Sequence, residues 1–177
     1  PAHGQAQARE GPRVRAVLRW LDARLRRAAE PVTGIDDGVR ALWDEMIAVM
    51  EAMPGVGLAA PQLGECISLA VVDASDARNR AVRMANPEVL HASVELREHE
   101  EASPCLPGVS AVIKRPRAVT VRFLNAGGAV EERDFVGLWA TSVQHQIDHL
   151  RGRMYFDRLG KVKRDMLLRR ARKVRAQ

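Results

Sequence analysis

The segment GLWATSVQHQIDHL, residues 137 to 150, most narrows what this chain can fold into. Leu138, Val143, Ile147 and Leu150 recur at spacings of three to five, the period of a helix with an apolar side, and Gly152 supplies its stop. The same helix carries His145, Gln146, Asp148 and His149, polar groups that are costly to bury without partners. The fold must enclose this helix and furnish those partners. His145 and His149 are four apart and leave one face a turn apart, which is metal-ligand spacing. In zinc hydrolases with this spacing, the residue after the first histidine is a glutamate that takes a proton from the metal-bound water. Here that residue is Gln146, whose carboxamide cannot take it.

The elements that enclose the helix are legible from their own patterns. From Asp36 to Met53, the residues Val39, Leu42, Trp43, Met46, Met50 and Met53 fall at three- and four-residue steps behind acidic caps, which predicts an amphipathic helix ending at Pro54-Gly55. Its methionines are core filler. A Gly-rich loop, GVGLAAPQLGE, leads to a buried strand over residues 67 to 73. Short β-like patterns follow at residues 82 to 90, 94 to 99 and 118 to 125. In the last of these, Val119, Val121 and Phe123 alternate with more exposed positions, and Asn125 to Gly128 turns the chain into AVEERDFV. MYF, residues 154 to 156, is expected as a short extended piece. Residues 161 to 175 form a final basic helix with Val162, Met166, Leu167, Ala171 and Val174 as its apolar stripe. The fold class expected is α+β, with antiparallel sheets around a central histidine-bearing helix.

Length fits a single domain over residues 14 to 177, with residues 1 to 13 expected to form a mobile tail. That tail has no hydrophobic core segment, so it reads as neither a secretory signal nor an anchor. No apolar run approaches the roughly 20 residues of a membrane span, and two cysteines, Cys66 and Cys105, make no disulfide framework. A cytoplasmic location is expected. Basic residues outnumber acidic ones 28 to 22, with the excess concentrated in KVKRDMLLRRARKVRAQ, which suits a polyanionic partner as well as an ordinary solvated face.

Two further stretches join the histidine pair. GVGLAAPQLG resembles the first motif of the peptide deformylase family, and QHQIDHL resembles its third, QHExDHL. EEASPCLPG lies where the second, EGCLS followed by PG, belongs, and the likeness runs in order from about Val17 to Arg158. The resemblance implies a metallohydrolase that removes the formyl group from nascent N-formylmethionyl peptides. It implies a divalent metal, whether iron, nickel, cobalt or zinc, held by His145, His149 and a cysteine, with water in the fourth position. Gln62 matches the glutamine that donates to the developing oxyanion, and Gly57, beside Val56, matches the glycine whose backbone approaches the peptide. Leu138, Thr141 and Ser142 match residues around the methionine pocket, where Thr141 is more polar than usual. The basic C-terminal helix resembles the extension with which bacterial deformylases contact the ribosome.

Aligned without a gap, the second motif puts Ser103 on the ligand cysteine, Pro104 on a leucine that uses its backbone N–H, and Cys105 on the serine. A neutral hydroxyl is a poor ligand beside the thiolate it replaces, and proline has no N–H. A two-residue slip along the strand keeps the same facing and offers Cys105 as the ligand, whereas the plainer expectation for Cys105 is a buried free thiol. Glu101 or His99 could face the site, with simple strand or hairpin residues the plainer expectation for both, and Asp148 is expected as a structural group or a partner for a histidine N–H. The pattern predicts a degenerate deformylase with weak or absent activity, and alternatively a non-catalytic module that binds formyl-peptides or the ribosome.

Overall fold

Helix α1, Asp37–Ala52, begins where Asp36 accepts a hydrogen bond from the Val39 N–H through its side chain, satisfying one of the donors a helix start leaves free. Its apolar stripe buries Trp43, Met46, Val49 and Met50 against Leu58, Leu69 and Val71. The computed structural model from which these contacts are taken describes residues 15 to 175. The expected tail over residues 1 to 13 lies outside them.

Seven strands follow: β1 Gly57–Ala59, β2 Leu69–Val72, β3 Val82–Ala92, β4 Leu96–Ser103, β5 Leu106–Pro116, β6 Ala118–Leu124 and β7 Val130–Val136. Five of them form one antiparallel sheet in the order β1-β2-β3-β6-β7, while β4 and β5 pair as a separate two-stranded ribbon. Helix α2, Leu138–Leu150, is packed between them, with every residue from Ala140 to Leu150 buried. Its Ala140, Val143 and Ile147 meet Val72, Met84, Val121 and Phe135 of the large sheet. Its other side, with Thr141, His145 and Asp148, is left to the ribbon. The α+β class and the central helix therefore stand as expected.

Gly152 ends α2 at φ +74, and a Cβ there would lie 2.5 Å from the Arg26 carbonyl oxygen, so only glycine lets the chain turn in this place. After it, MYF is a 3₁₀ turn over Tyr155–Arg158 instead of the expected extended piece, because Asp157 folds back to accept from the Met154 N–H. Val94, expected in a strand, is almost wholly exposed and lies outside β4. Helix α3, Lys161–Arg175, lays Leu167 and Ala171 against Leu106, Ile113 and Phe156. Among the described residues no helix is long and apolar enough to cross a membrane.

Candidate functional site

Strand β4 alternates strictly, turning Arg97, His99, Glu101 and Ser103 inward and its intervening residues to solvent. Two of the inward residues meet α2 one helical turn apart. Arg97 Nη1 donates to Thr141 Oγ1 at 3.0 Å, and His145 Nδ1 lies 2.8 Å from Glu101 Oε1. Burial alone would raise the Glu101 carboxyl, but His145 and the Arg115 guanidinium outweigh it and hold it at about 2. Glu101 is therefore an acceptor only, so Nδ1 of His145 donates to it. Of the two readings open for Glu101 and His99, the site-facing one holds for both, because the alternation of β4 aims them towards the helix.

Arg115 of β5 is fully buried and ties the site together. Its Nε and Nη2 grip Glu101 at 2.6 and 2.8 Å, and its Nη1 reaches Asp148 at 2.9 Å. Asp148 also accepts from Arg158, at 2.7 and 2.9 Å, so its carboxylate serves two arginines and not a histidine. Burial opposes ionisation of Asp148, yet Arg158 and Arg115 keep it below the usual carboxylate range.

His149 is fully buried, and neither ring nitrogen has a hydrogen-bond partner among the described residues. Burial first, and the neighbouring His145, hold its imidazole neutral. Its ring lies 5.0 Å from that of His145, which also stacks with Tyr155 at 5.8 Å. The Tyr155 hydroxyl, pushed up to about 12 by burial and by Glu101, is also buried without a partner.

A cavity of about 120 Å³ opens beside the helix, and among its lining residues are Val56, Gly57, Gln62, Pro104, Leu138 and Thr141. Ser142, His145, Gln146, His99 and Glu101 also face it. Sequence-expected residues from three separate segments thus share one wall. Ser142 donates to the Val56 carbonyl at 2.9 Å, tying the Gly-rich loop to α2. A Cβ on Gly57 would come within 2.5 Å of Gln146 Nε2 and 2.6 Å of Ser142 Oγ, so the loop can lie this close only as glycine.

The second motif is arranged differently from a continuous strand. β4 ends at Ser103, which pairs with Leu106, and Pro104 and Cys105 form the turn between them. The strand geometry that would let Cys105 slip into the place of Ser103 is therefore missing. Cys105 is instead fully buried among Leu25, Leu106, Met154 and Tyr155. Burial pushes its thiol up, and Gln62 Nε2 donates to its sulfur at 3.4 Å. Gln62 is fixed at its other end by accepting from the Ala59 N–H at 2.9 Å.

The profile of the family described as Polypeptide deformylase matches residues 14–165. The chain belongs to this family. A peptide deformylase of Rhodopseudomonas palustris is 37% identical over 164 residues, covering 90% of this chain and 94% of the relative. The crystal structure of a peptide deformylase from Legionella pneumophila superposes with a TM-score of 0.86 at 34% identity, covering 92% of this chain and 96% of that one. A Met-Ala-Ser bound peptide deformylase from Acinetobacter baumannii gives a TM-score of 0.78 at 31% identity, covering 82% of this chain and 98% of that one.

Against the deformylase pattern, the donor set suits a divalent cation in part. The two imidazoles, one with both nitrogens unpartnered, offer what such an ion takes. The third position in register, Ser103, carries a hydroxyl that accepts from the Cys105 N–H at 3.3 Å. Among the described residues no three His, Cys, Asp or Glu side chains converge as a metal-binding group.

Proposed function

We propose that the chain is a metal-dependent amidase of deformylase type that acts on N-formyl peptides slowly. The observation that carries this is the shared cavity of Gly57, Gln62, His145 and Gln146, with deformylase kinship over most of the chain. His145 and His149 are the nitrogen donors for a divalent ion of the iron, nickel, cobalt or zinc type. When bound, that ion supplies a Lewis acid and a lowered water pKa. Gln62 gives up its weak donation to Cys105 sulfur and turns Nε2 to the carbonyl oxygen as negative charge develops there. Gly57 and Val56 lie along the peptide. Pro104, in the turn, has no N–H to add a second donor at the carbonyl.

The proton is the weak point. Gln146 can hold a water by hydrogen bond, and its Oε1 is buried without a partner, but a carboxamide accepts no proton near neutral pH. Gln146, Pro104 and Ser103 weigh towards the non-catalytic alternative, while the shared cavity with Gln62 and His145 weighs towards slow hydrolysis. The Met-Ala-Ser complex of the Acinetobacter relative supports a peptide ligand here. The outward face of α3, with Lys163, Arg169, Arg170 and Lys173 exposed, suits contact with an RNA surface such as the ribosome, and such a role implies a cytoplasmic location.

The deciding experiment measures bound metal and formate released from formyl-Met-Ala-Ser by the protein purified without oxygen. Slow release with some metal retained is expected; a protein with neither would end the amidase assignment. Ser103→Cys is expected to bring retained metal after dialysis up to stoichiometric, because a thiolate is a far better ligand than a hydroxyl. Metal content unchanged by that substitution would show that position 103 does not face the imidazoles.

A further inference from the structure

The inward face of β4 carries no apolar residue, and its His99 and Glu101 line the cavity beside α2. Arg97, His99, Glu101 and Ser103 stand there in sequence, opposite a helix face that presents Thr141 and His145. Glu101 is consumed by Arg115 and His145. Ser142 is consumed as well, since its proton goes to the Val56 carbonyl. Thr141 is not.

Its oxygen accepts from the Arg97 guanidinium at 3.0 Å, which leaves the Thr141 proton free and makes it a stronger donor. Among the described residues, Arg97 directs its hydrogen bond to this hydroxyl and not to a carboxylate. His99 lies between the Arg97 and Glu101 rungs and lines the same cavity, adding an imidazole that can donate. A methionine thioether in this place would meet hydrocarbon from Val56, Pro104 and Leu138 but would leave the Thr141 hydroxyl and the His99 imidazole without an acceptor. A side chain with an oxygen acceptor would satisfy both.

We propose that this cavity takes, beside the formyl group, a side chain ending in a carboxamide or carboxylate in preference to methionine. Thr141, held by Arg97, and His99 determine that choice. The inference rests on the formyl-peptide function proposed above and specifies its substrate. A pocket that offers a hydrogen-bond donor discriminates strongly against a ligand that cannot accept, whereas differences in apolar bulk alone discriminate weakly.

The test titrates the whole chain with formyl-Met-Ala-Ser, formyl-Gln-Ala-Ser, formyl-Glu-Ala-Ser and the norleucine analogue, reading binding by calorimetry and turnover by formate. The glutamine or glutamate peptide is expected to bind about tenfold or more tightly than the methionine and norleucine peptides. Comparing glutamine with glutamate separates carboxamide from carboxylate. Thr141→Val is expected to reverse the order in favour of methionine, and Arg97→Leu to narrow it, in variants whose thermal melts match the parent. The wild-type ranking stands by itself should either variant fail to fold. A methionine peptide bound as tightly as the others, or more so, overturns the inference and leaves formyl-peptide hydrolysis intact. Binding of no peptide overturns both. An acceptor preference that survives both substitutions unchanged overturns the assignment to Thr141 and Arg97.

Discussion

Glutamate in place of Gln146 is expected to raise formate release from a formyl tripeptide by about 10²–10⁴-fold, or roughly 3–5 kcal/mol of barrier, the usual worth of a positioned general base. The two side chains have nearly the same shape, so the packing of Gln146 against Gly57 should survive the exchange. The position is buried, and desolvation would lift the new carboxyl towards the range where a base works well near neutral pH. No neighbour already fills the role. Glu101 faces the same cavity, but at about 2 it is too weak a base, and Asp148 is gripped by Arg115 and Arg158. The gain should fall on kcat with little change in KM, since the base acts in the transition state and not in binding. An unchanged kcat in a correctly folded Gln146→Glu protein would mean that proton removal does not limit this site.

The parts of the fold that repeat locally could be read from the chain. The stripe of α1, the alternation of β6 and the apolar side of α2 each pack against a hydrocarbon partner, so their periods survive in the residue pattern. The ribbon of β4 and β5 was legible only in part, over residues 94 to 99. Its inward face carries Arg97, His99, Glu101 and Arg115 because it serves the polar side of α2, and a strand that buries charge shows no apolar alternation. The same limit applies to the site. Gln62, Gly57 and the two histidines sit in recognisable motifs. Glu101 is 44 residues from His145, and Arg115 is 33 from Asp148, so nothing in the spacing links them. A run such as LREHEEAS, lacking an apolar face yet flanked by well-packed strands, is the signal that could have located them. The Ser103 turn escaped for a different reason: Pro104 ends the β4 pairing, and a strand-based slip of Cys105 assumes that pairing continues.

Removing Arg115 is expected to cost about 3–5 kcal/mol of folding stability, the usual penalty for stripping one partner from a buried ionic cluster. At about 2–4 °C per kcal/mol for a chain of this size, Arg115→Met should melt about 6–20 °C below the parent. The loss arises because Glu101 and Asp148 stay buried while their shared cation is gone. His145 and the half-exposed Arg158 still reach them, which places the effect towards the lower end. Acid titration gives an independent check. The folded-state carboxyl of Glu101 is depressed to about 2 from 4.5, so its stabilising contribution is complete above the unfolded value and disappears as pH falls through the folded one. Without Arg115 that carboxyl should titrate higher, and the acid-unfolding midpoint of Arg115→Met should move to higher pH. Glu101 would then orient the His145 ring less firmly, lowering formate release even at temperatures where the variant is fully folded. A variant that melts with the parent and unfolds in acid at the same pH would show that the two carboxylates do not depend on Arg115 for their charge. The central helix would then owe its polar side to some other source of stability.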